Sequence, residues 1–223
     1  MKISGNLLFI IIALAGISVL QFQKGRRLNL MLMKAFVEGF EKRLKLRDKT
    51  YTWIGGSAGF KADYELSDNY VKKVELTLTL IPRQSLFYLP ISFLVKRGDR
   101  LYIVLRPKFQ VHSDAHIIRN FYYLFGPEIR EAPELKKGII KLENTKGFYT
   151  LFEEEETLEK LRKLTQEVFS DVKRVRHIAL VKSTNVLFCL IKPDPYKTPD
   201  EIKKLVEKFP KIFYGKEELR DLQ

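Results

Sequence analysis

The sequence has a single cysteine, Cys189, and no low-complexity segment. A lone cysteine excludes an internal disulfide framework and a cysteine-based zinc site. Its apolar neighbours, from Leu187 to Ile191, favour a buried and unreactive thiol. Glycine and proline are also scarce, at 12 and 9 residues, while 45% of the chain is hydrophobic. This composition excludes a disordered or collagen-like polymer and is typical of a chain with one or two small domains.

Acidic residues are outnumbered by basic ones, which leaves a formal net charge of +13. Such an excess favours an anionic partner, which could be nucleic acid, the ribosome or lipid headgroups. The alternative is a basic surface that is simply solvated. The sequence contains no zinc-finger spacing and no RNA-recognition motif, so charge alone does not choose among these partners.

Charged residues are also missing from residues 3–23. As a helix, the segment from Ile3 to Phe22 would span about 30 Å, the thickness of a bilayer's hydrocarbon core. A cleaved signal peptide is the alternative, but the residues after the apolar core offer no convincing small-x-small cleavage site. We therefore expect an uncleaved transmembrane anchor over residues 1–23.

The charges on the two sides of this segment predict its orientation. Lys2 precedes it, whereas Lys24, Arg26 and Arg27 follow it directly. Because positive charge stays on the cytoplasmic side, we expect a single-pass protein of the cell membrane with its amino terminus outside. The predicted organisation is an anchor over 1–23, a juxtamembrane basic amphipathic helix over 24–49, and a cytoplasmic α+β domain over 50–223.

Apolar residues recur every four positions after the anchor and predict an amphipathic helix over 28–46. Two interpretations stay open: the helix packs on its own domain, or it lies against headgroups or a partner's membrane segment. For the second, the candidate contacts with membrane lipids and a partner protein are Lys24, Arg26, Arg27, Met31, Leu32, Phe36 and Phe40.

Farther along the chain, the hydrophobic period changes repeatedly between 2 and 3.6. The period of two predicts strands over 58–66, 74–80, 91–96, 101–106, 175–181 and 186–191, with another hairpin inside 138–152. Helices are predicted over 114–125, with Ser113 as N-cap, and over 153–170. A last helix starts at Thr198, with Thr198 and Glu201 forming a capping box around Pro199. This succession predicts an α+β fold of antiparallel strands and packed helices.

Residues 55–59 match the G-x-S-x-G pattern of a hydrolase nucleophile elbow, with Ser57 as the nucleophile. That elbow needs a strand, a sharp turn and then a helix. Here strand alternation and a turn follow instead, so we expect no hydrolase site. The nearby residues Trp53, Gly55, Gly56 and Gly59 are predicted to be structural, with the glycines allowing a bulge or a close backbone approach.

The remaining polar clusters do not assemble a reaction centre. His112 and His116 have the spacing of two ligands on one helix face, but Ser113 would place His112 outside the helix, and His177 lies far along the chain. The four acids at 153–156 complement the start of a helix. We expect no catalysis, no metal, no cofactor and no small-molecule substrate.

The order of features resembles that of the calumin family, the coiled-coil domain-containing protein of the eukaryotic PAT complex. Behind the span lies RRLNLMLMKAF, followed by Tyr51-x-Trp53 with a glycine close behind, a strand pair and RQSLFYLPISFLV. The chain closes with an apolar strand and a helix led by Pro-Asp-Glu that ends in PKIFY. The resemblance covers roughly Leu20 to Tyr214.

This resemblance implies an accessory factor in membrane-protein insertion, which acts at the translocon or an insertase and contacts the ribosome. The family partners an intramembrane chaperone and shields semi-polar transmembrane segments. Here only Met1 and Lys2 precede the span, so the family's acidic lumenal region and its calcium binding are not carried over. The family's long basic coiled coil is not matched either, which puts ribosome contact in doubt and suggests a compact prokaryotic relative, such as an archaeal one. The alternative function is a membrane-tethered binding or regulatory module of another membrane system.

Overall fold

The computed structural model of the chain describes residues 5–94, 98–120, 122, 134–142 and 147–214. Its elements follow in chain order: α1 Gly5–Arg43, β1 Leu46–Ile54, β2 Gly59–Leu66, β3 Val71–Thr79, α2 Tyr88–Leu94, β4 Arg100–Pro107, β5 Ala115–Arg119, β6 Lys136–Ile140, β7 Phe148–Phe152, α3 Glu155–Val168, β8 Val175–Val181, β9 Val186–Ile191 and α4 Thr198–Phe213. A short 3-10 turn, Val172–Arg174, leads into β8.

The strands form one nine-stranded sheet in the order β1-β2-β3-β4-β9-β8-β5-β7-β6. Every neighbouring pair is antiparallel. The first four strands form a meander, and the β8–β9 hairpin then joins this meander to β5, β7 and β6. Helices α3 and α4 pack against each other, and α1 contacts both α4 and β2. The chain therefore has an α+β fold with a long apolar helix at its amino terminus, as the sequence predicts.

The core lies between the sheet and its helical layer. Alternate residues of β2, β3 and β4 point into it, because successive side chains of a strand face opposite sides of the sheet. On α1, Met33, Phe36 and Phe40 are at most 2% exposed. Phe40 meets Tyr64 of β2 edge to face, with ring centroids 6.5 Å apart. Helix α1 is thus part of the folded domain.

The predicted helix over 114–125 is wrong for residues 115–119, which form strand β5, whereas residues 120 and 122 are helical. This strand pairs with β8 on one side and β7 on the other. Four of its five residues are buried, so it lacks the alternation by which a half-exposed strand is recognised. Residues 121 and 123–125 lie outside the described residues.

The predicted strand over 91–96 is also wrong, because residues 88–94 form helix α2. Ser85 Oγ accepts a hydrogen bond from the Tyr88 N–H at 3.2 Å, and Pro90 sits in the first helical turn, where proline is tolerated. Residues 95 and 96 lie outside the described residues. Strand β1 was not predicted, because it is a largely exposed edge strand with many polar residues.

A buried ion pair joins the 3-10 turn before β8 to α4. The Arg174 side chain donates to Glu201 Oε1 at 2.8 Å and to Thr198 Oγ1 at 2.6 Å. Glu201 is only 3% exposed, and burial raises the pKa of its carboxyl, against the opposing effect of Arg174. The predicted capping box does not form. Thr198 Oγ1 instead accepts a hydrogen bond from the Asp194 N–H, and the Glu201 carboxylate accepts one from Arg174.

We expect Glu201→Ala to lower the free energy of unfolding by about 3 to 5 kcal/mol, since it leaves the Arg174 charge buried without its partner. Urea unfolding of the detergent-solubilised full chain measures this. The double replacement Arg174→Met with Glu201→Leu should regain most of the loss. The matched control is Glu207→Ala, which removes an exposed pair with Lys203 on the same helix and should cost less than about 1 kcal/mol. Equal losses from the two single variants would contradict this prediction.

Candidate membrane-facing site

The first half of α1 exposes its apolar side chains. Phe9 is 73% exposed, Leu20 68% and Phe22 50%. The most apolar window of the helix has a mean hydropathy of 2.1, and none of it is buried. By length and composition, α1 is the one helix among the described residues that could cross a membrane, although a signal sequence has the same properties.

The second half of α1 buries a stripe against the sheet, and this stripe differs from the predicted one. Its members are Gly25, Asn29, Met33, Phe36 and Phe40. Leu28 and Met31, which belong to the predicted apolar stripe, are 41% and 52% exposed. The stripe starts with a glycine and an asparagine, so hydrophobicity alone could not locate it.

Two residues of α1 hold the chain segment that follows β3. Gln21 Nε2 donates to the Arg83 carbonyl at 2.8 Å. One turn later, an added Cβ on Gly25 would lie 2.2 Å from the same oxygen, so only glycine lets the two backbones approach this closely. This contact places the 83–84 backbone at the level where the uncharged run of α1 ends.

Asn29 is the polar centre of the junction and is fully buried. Its Nδ2 donates to the Ser57 carbonyl at 2.9 Å and to the Ile81 carbonyl at 3.0 Å. Its Oδ1 accepts from Arg83 Nη1 at 2.9 Å, and Arg83 also pairs with Asp99 at 2.6 Å. The same Asp99 accepts from the Ile81 N–H. Helix α1, the β1–β2 turn and the start of β4 are therefore joined by one hydrogen-bond network.

The candidate contact residues fall into two groups. Lys24, Arg26, Arg27 and Met31 are exposed, and Leu32 is partly buried. They remain accessible to lipid or to a protein. Phe36 and Phe40 lie in the domain's own core, so this structure leaves them unavailable to such contacts. The sequence analysis did not identify Gly25, Asn29, Arg83 and Asp99. The sequence signal for the first two is a glycine and an asparagine four residues apart on one helix face.

The G-x-S-x-G segment is the turn between β1 and β2. Gly55 and Gly56 have φ of 56° and 67°, in the left-handed region that favours glycine. An added Cβ on Gly59 would lie 1.9 Å from the Leu78 carbonyl oxygen of the neighbouring strand. Ser57 is 5% exposed, and its carbonyl is the acceptor for Asn29. Trp53, by contrast, is 61% exposed and packs one edge on Phe60.

Two histidines that lie far apart in the sequence meet in the structure. His116 Nδ1 and His177 Nε2 are 3.2 Å apart on neighbouring strands, and both side chains are buried. Burial, with a smaller effect of His116, lowers the pKa of His177 to about 3. His112 stays exposed. Within the described part of the chain, no group of three or more potential metal ligands is found. The sequence missed this pair because it assigned His116 to a helix.

No protein-family model matches this chain, and no curated protein matches it at a significant level. The resemblance to the calumin family therefore stays a prediction. The physical properties of the junction carry the functional argument.

We expect Asn29→Ala to lower the free energy of unfolding by about 1 to 3 kcal/mol, because it removes the donor for the Ser57 carbonyl and an acceptor for Arg83. Urea unfolding of the full chain in detergent measures the change. Met31→Ala, on the exposed face of the same helix, is the control and should shift it by less than about 0.5 kcal/mol. A loss for Asn29→Ala no larger than that of the control would contradict the assigned role of Asn29.

Proposed function

We propose that this protein is a single-pass membrane protein whose α+β domain acts, without catalysis, as an accessory factor in the insertion or assembly of other membrane proteins. The observation that carries this proposal is the continuity of α1. One unbroken helix contains both the exposed apolar run and the stripe buried in the domain core. A domain built onto such a helix cannot swing on a linker and is held at a fixed distance from the bilayer.

The exposed apolar run supports the membrane location. Apolar surface costs about 25 cal/mol per Å² when it stays in water. Side chains such as Phe9, Ile12 and Leu20 are more than half exposed around the whole helix, and no other described element covers them. A hydrocarbon environment removes that cost, and a helix satisfies its own backbone hydrogen bonds there.

The distribution of charge supports a cytoplasmic domain. The first acidic residue of the chain is Glu38, whereas Lys24, Arg26 and Arg27 follow the uncharged run directly. All three basic side chains are exposed, where they can meet the headgroups of the cytoplasmic leaflet. The net charge of +13 adds a general attraction toward anionic surfaces, including ribosomal RNA.

The exposed face of α1 supplies a surface for a partner. Leu30 and Met31 are 38% and 52% exposed and lie beside Arg26, Arg27 and Lys34. Apolar side chains at headgroup level, next to the protein's own span, suit a transmembrane helix of another protein. We assign the partner to the translocon or an insertase because of the calumin resemblance, and ribosome contact rests on the basic charge alone.

The proposed orientation predicts how an added thiol reacts. We expect Tyr196→Cys, at a side chain that is 85% exposed, to react with a membrane-impermeant maleimide only after the cells are opened. The native Cys189 is fully buried, and burial raises its pKa, so it gives little background. Labelling of Tyr196→Cys in intact cells would place the domain outside and would contradict the proposal.

The proposed partner predicts what is recovered with the protein. We expect affinity purification of the full chain from native membranes in a mild detergent to recover components of the translocon, an insertase or the ribosome. The double variant Leu30→Ser with Met31→Ser should lose them, because it removes apolar contact without disturbing the buried stripe. Mass spectrometry of the bound fraction measures both.

Tyr196→Ser is the matched control, since it also replaces a large exposed side chain with serine, but away from Leu30 and Met31. The control should recover the same components as the unmodified chain. Recovery of proteins from a different membrane system alone would favour the alternative function, a tethered regulatory module. If deletion of the protein leaves the insertion of multispanning proteins intact and no insertion component is recovered, the proposed function is wrong.

A further inference from the structure

Helix α2 exposes a compact apolar group where the uncharged part of α1 ends. Phe87 is 78% exposed, Ile91 51% and Tyr88 37%. The three lie within five consecutive residues of one short helix and the residue before it. Clusters of this kind on a folded domain mark sites that contact another apolar phase or partner.

The position of α2 along α1 is fixed by backbone contacts. The segment leading into it is held by Gln21 and packed against Gly25 through Arg83. Gln21 lies within the uncharged run, whereas Lys24 begins the basic flank. The segment leading into α2 therefore contacts α1 at the level where the hydrocarbon of a bilayer would give way to headgroups.

Two arginines lie on the domain side of α2. Arg100 lines the cavity between α2 and the ends of β3 and β4, together with Tyr88 and Ser92. The Arg176 guanidinium lies against Gly98, where an added Cβ would be 3.5 Å from Nη2. Burial and then the nearby Arg100 charge lower the pKa of Arg176, so the two cations repel each other. Among the described residues neither forms an ion pair with an acid, which favours an anionic ligand between them.

We propose that α2 is a second membrane contact, in which Phe87, Tyr88 and Ile91 enter the interfacial layer of the bilayer that α1 crosses, and Arg100 and Arg176 bind phosphates of anionic lipid headgroups. This inference rests on the proposed membrane anchoring of α1. An aromatic ring with a polar tip, such as that of Tyr88, is suited to the boundary between hydrocarbon and water. Arginine forms forked hydrogen bonds to phosphate oxygens. With two attachment points, the domain is fixed in tilt as well as in distance.

The test measures the depth of three positions in the full chain, reconstituted into vesicles of phosphatidylcholine and phosphatidylglycerol. Trp53→Phe provides a background without tryptophan. A single tryptophan is then returned as Phe87→Trp, Leu14→Trp or Tyr196→Trp. The Tyr196 position lies near Gly39, which meets Pro195 and Pro199, and the helix from Gly25 to Gly39 spans about 21 Å. Lipids brominated along the acyl chain, used as one set with bromine near the headgroup and one with bromine near the methyl end, quench tryptophans that reach the hydrocarbon.

We expect the Leu14→Trp and Phe87→Trp proteins to lose most of their emission, and the Tyr196→Trp protein to keep its own. If Phe87→Trp is quenched no more than Tyr196→Trp while Leu14→Trp is quenched, the second contact is wrong and the anchor stands. If Leu14→Trp is not quenched either, the proposed anchoring fails together with it. Circular dichroism of each variant confirms that it is folded.

The headgroup contact is tested in the Phe87→Trp protein with a trace of brominated phosphatidylglycerol or brominated phosphatidylcholine. We expect the anionic lipid to quench more, by up to about fivefold for each arginine near the surface. Replacing both Arg100→Gln and Arg176→Gln should reduce the difference several-fold, and Lys24, Arg26 and Arg27 account for what remains. The control is Lys45→Gln with Arg47→Gln, two exposed cations just beyond the end of α1 that is far from α2, and it should leave the difference unchanged. A preference for phosphatidylglycerol that the first pair leaves unchanged would overturn the assignment of Arg100 and Arg176.

Discussion

The contact of α1 with the loop after β3 is the constraint on which the rest of the structure depends. A glycine lets two backbones touch, and a buried asparagine binds the carbonyls and the arginine that it meets there. Such a polar group is stable inside the protein only when its hydrogen bonds are satisfied, so it specifies one register of helix on sheet. An apolar residue at the same place would allow neighbouring registers. Because the register is fixed, the apolar helix α1 and the sheet form a single folded unit.

This junction divides the molecule into two chemically different ends. Three features lie at the level of Gln21 and Gly25: the end of the uncharged run, the basic flank and the exposed side chains of α2. The opposite end of α1 carries the aromatic core, where Phe40 meets Tyr64. Burial of Tyr64 raises its pKa to about 12, as expected for a phenol in a dry core. The chemistry of the two ends differs because one faces the proposed bilayer and the other closes the domain.

Several elements were predicted from the sequence because one face is buried and the other is not. The strands β8 and β9 begin and end where the pattern placed them, and the hairpin of β6 with β7 matches its predicted range except that β6 begins two residues earlier, at Lys136. The strand β5 could not be found this way, since partners on both edges and cover on both faces erase the alternation. The sequence pattern predicts a strand where α2 forms, because a short apolar run has no clear period.

By itself, the sequence determined the α+β class, the exposed apolar run and the basic residues behind it, because these depend on composition and local periodicity. Only the tertiary structure decided which face of α1 is buried, that Gly25 and Asn29 are its anchors, and that His116 meets His177. It also placed Arg83 and α2 beside the start of that stripe. Contacts of this kind join residues more than fifty positions apart, and their energies depend on close approach and hydrogen-bond geometry. Neither the close approach nor the hydrogen-bond geometry can be deduced from the local sequence pattern.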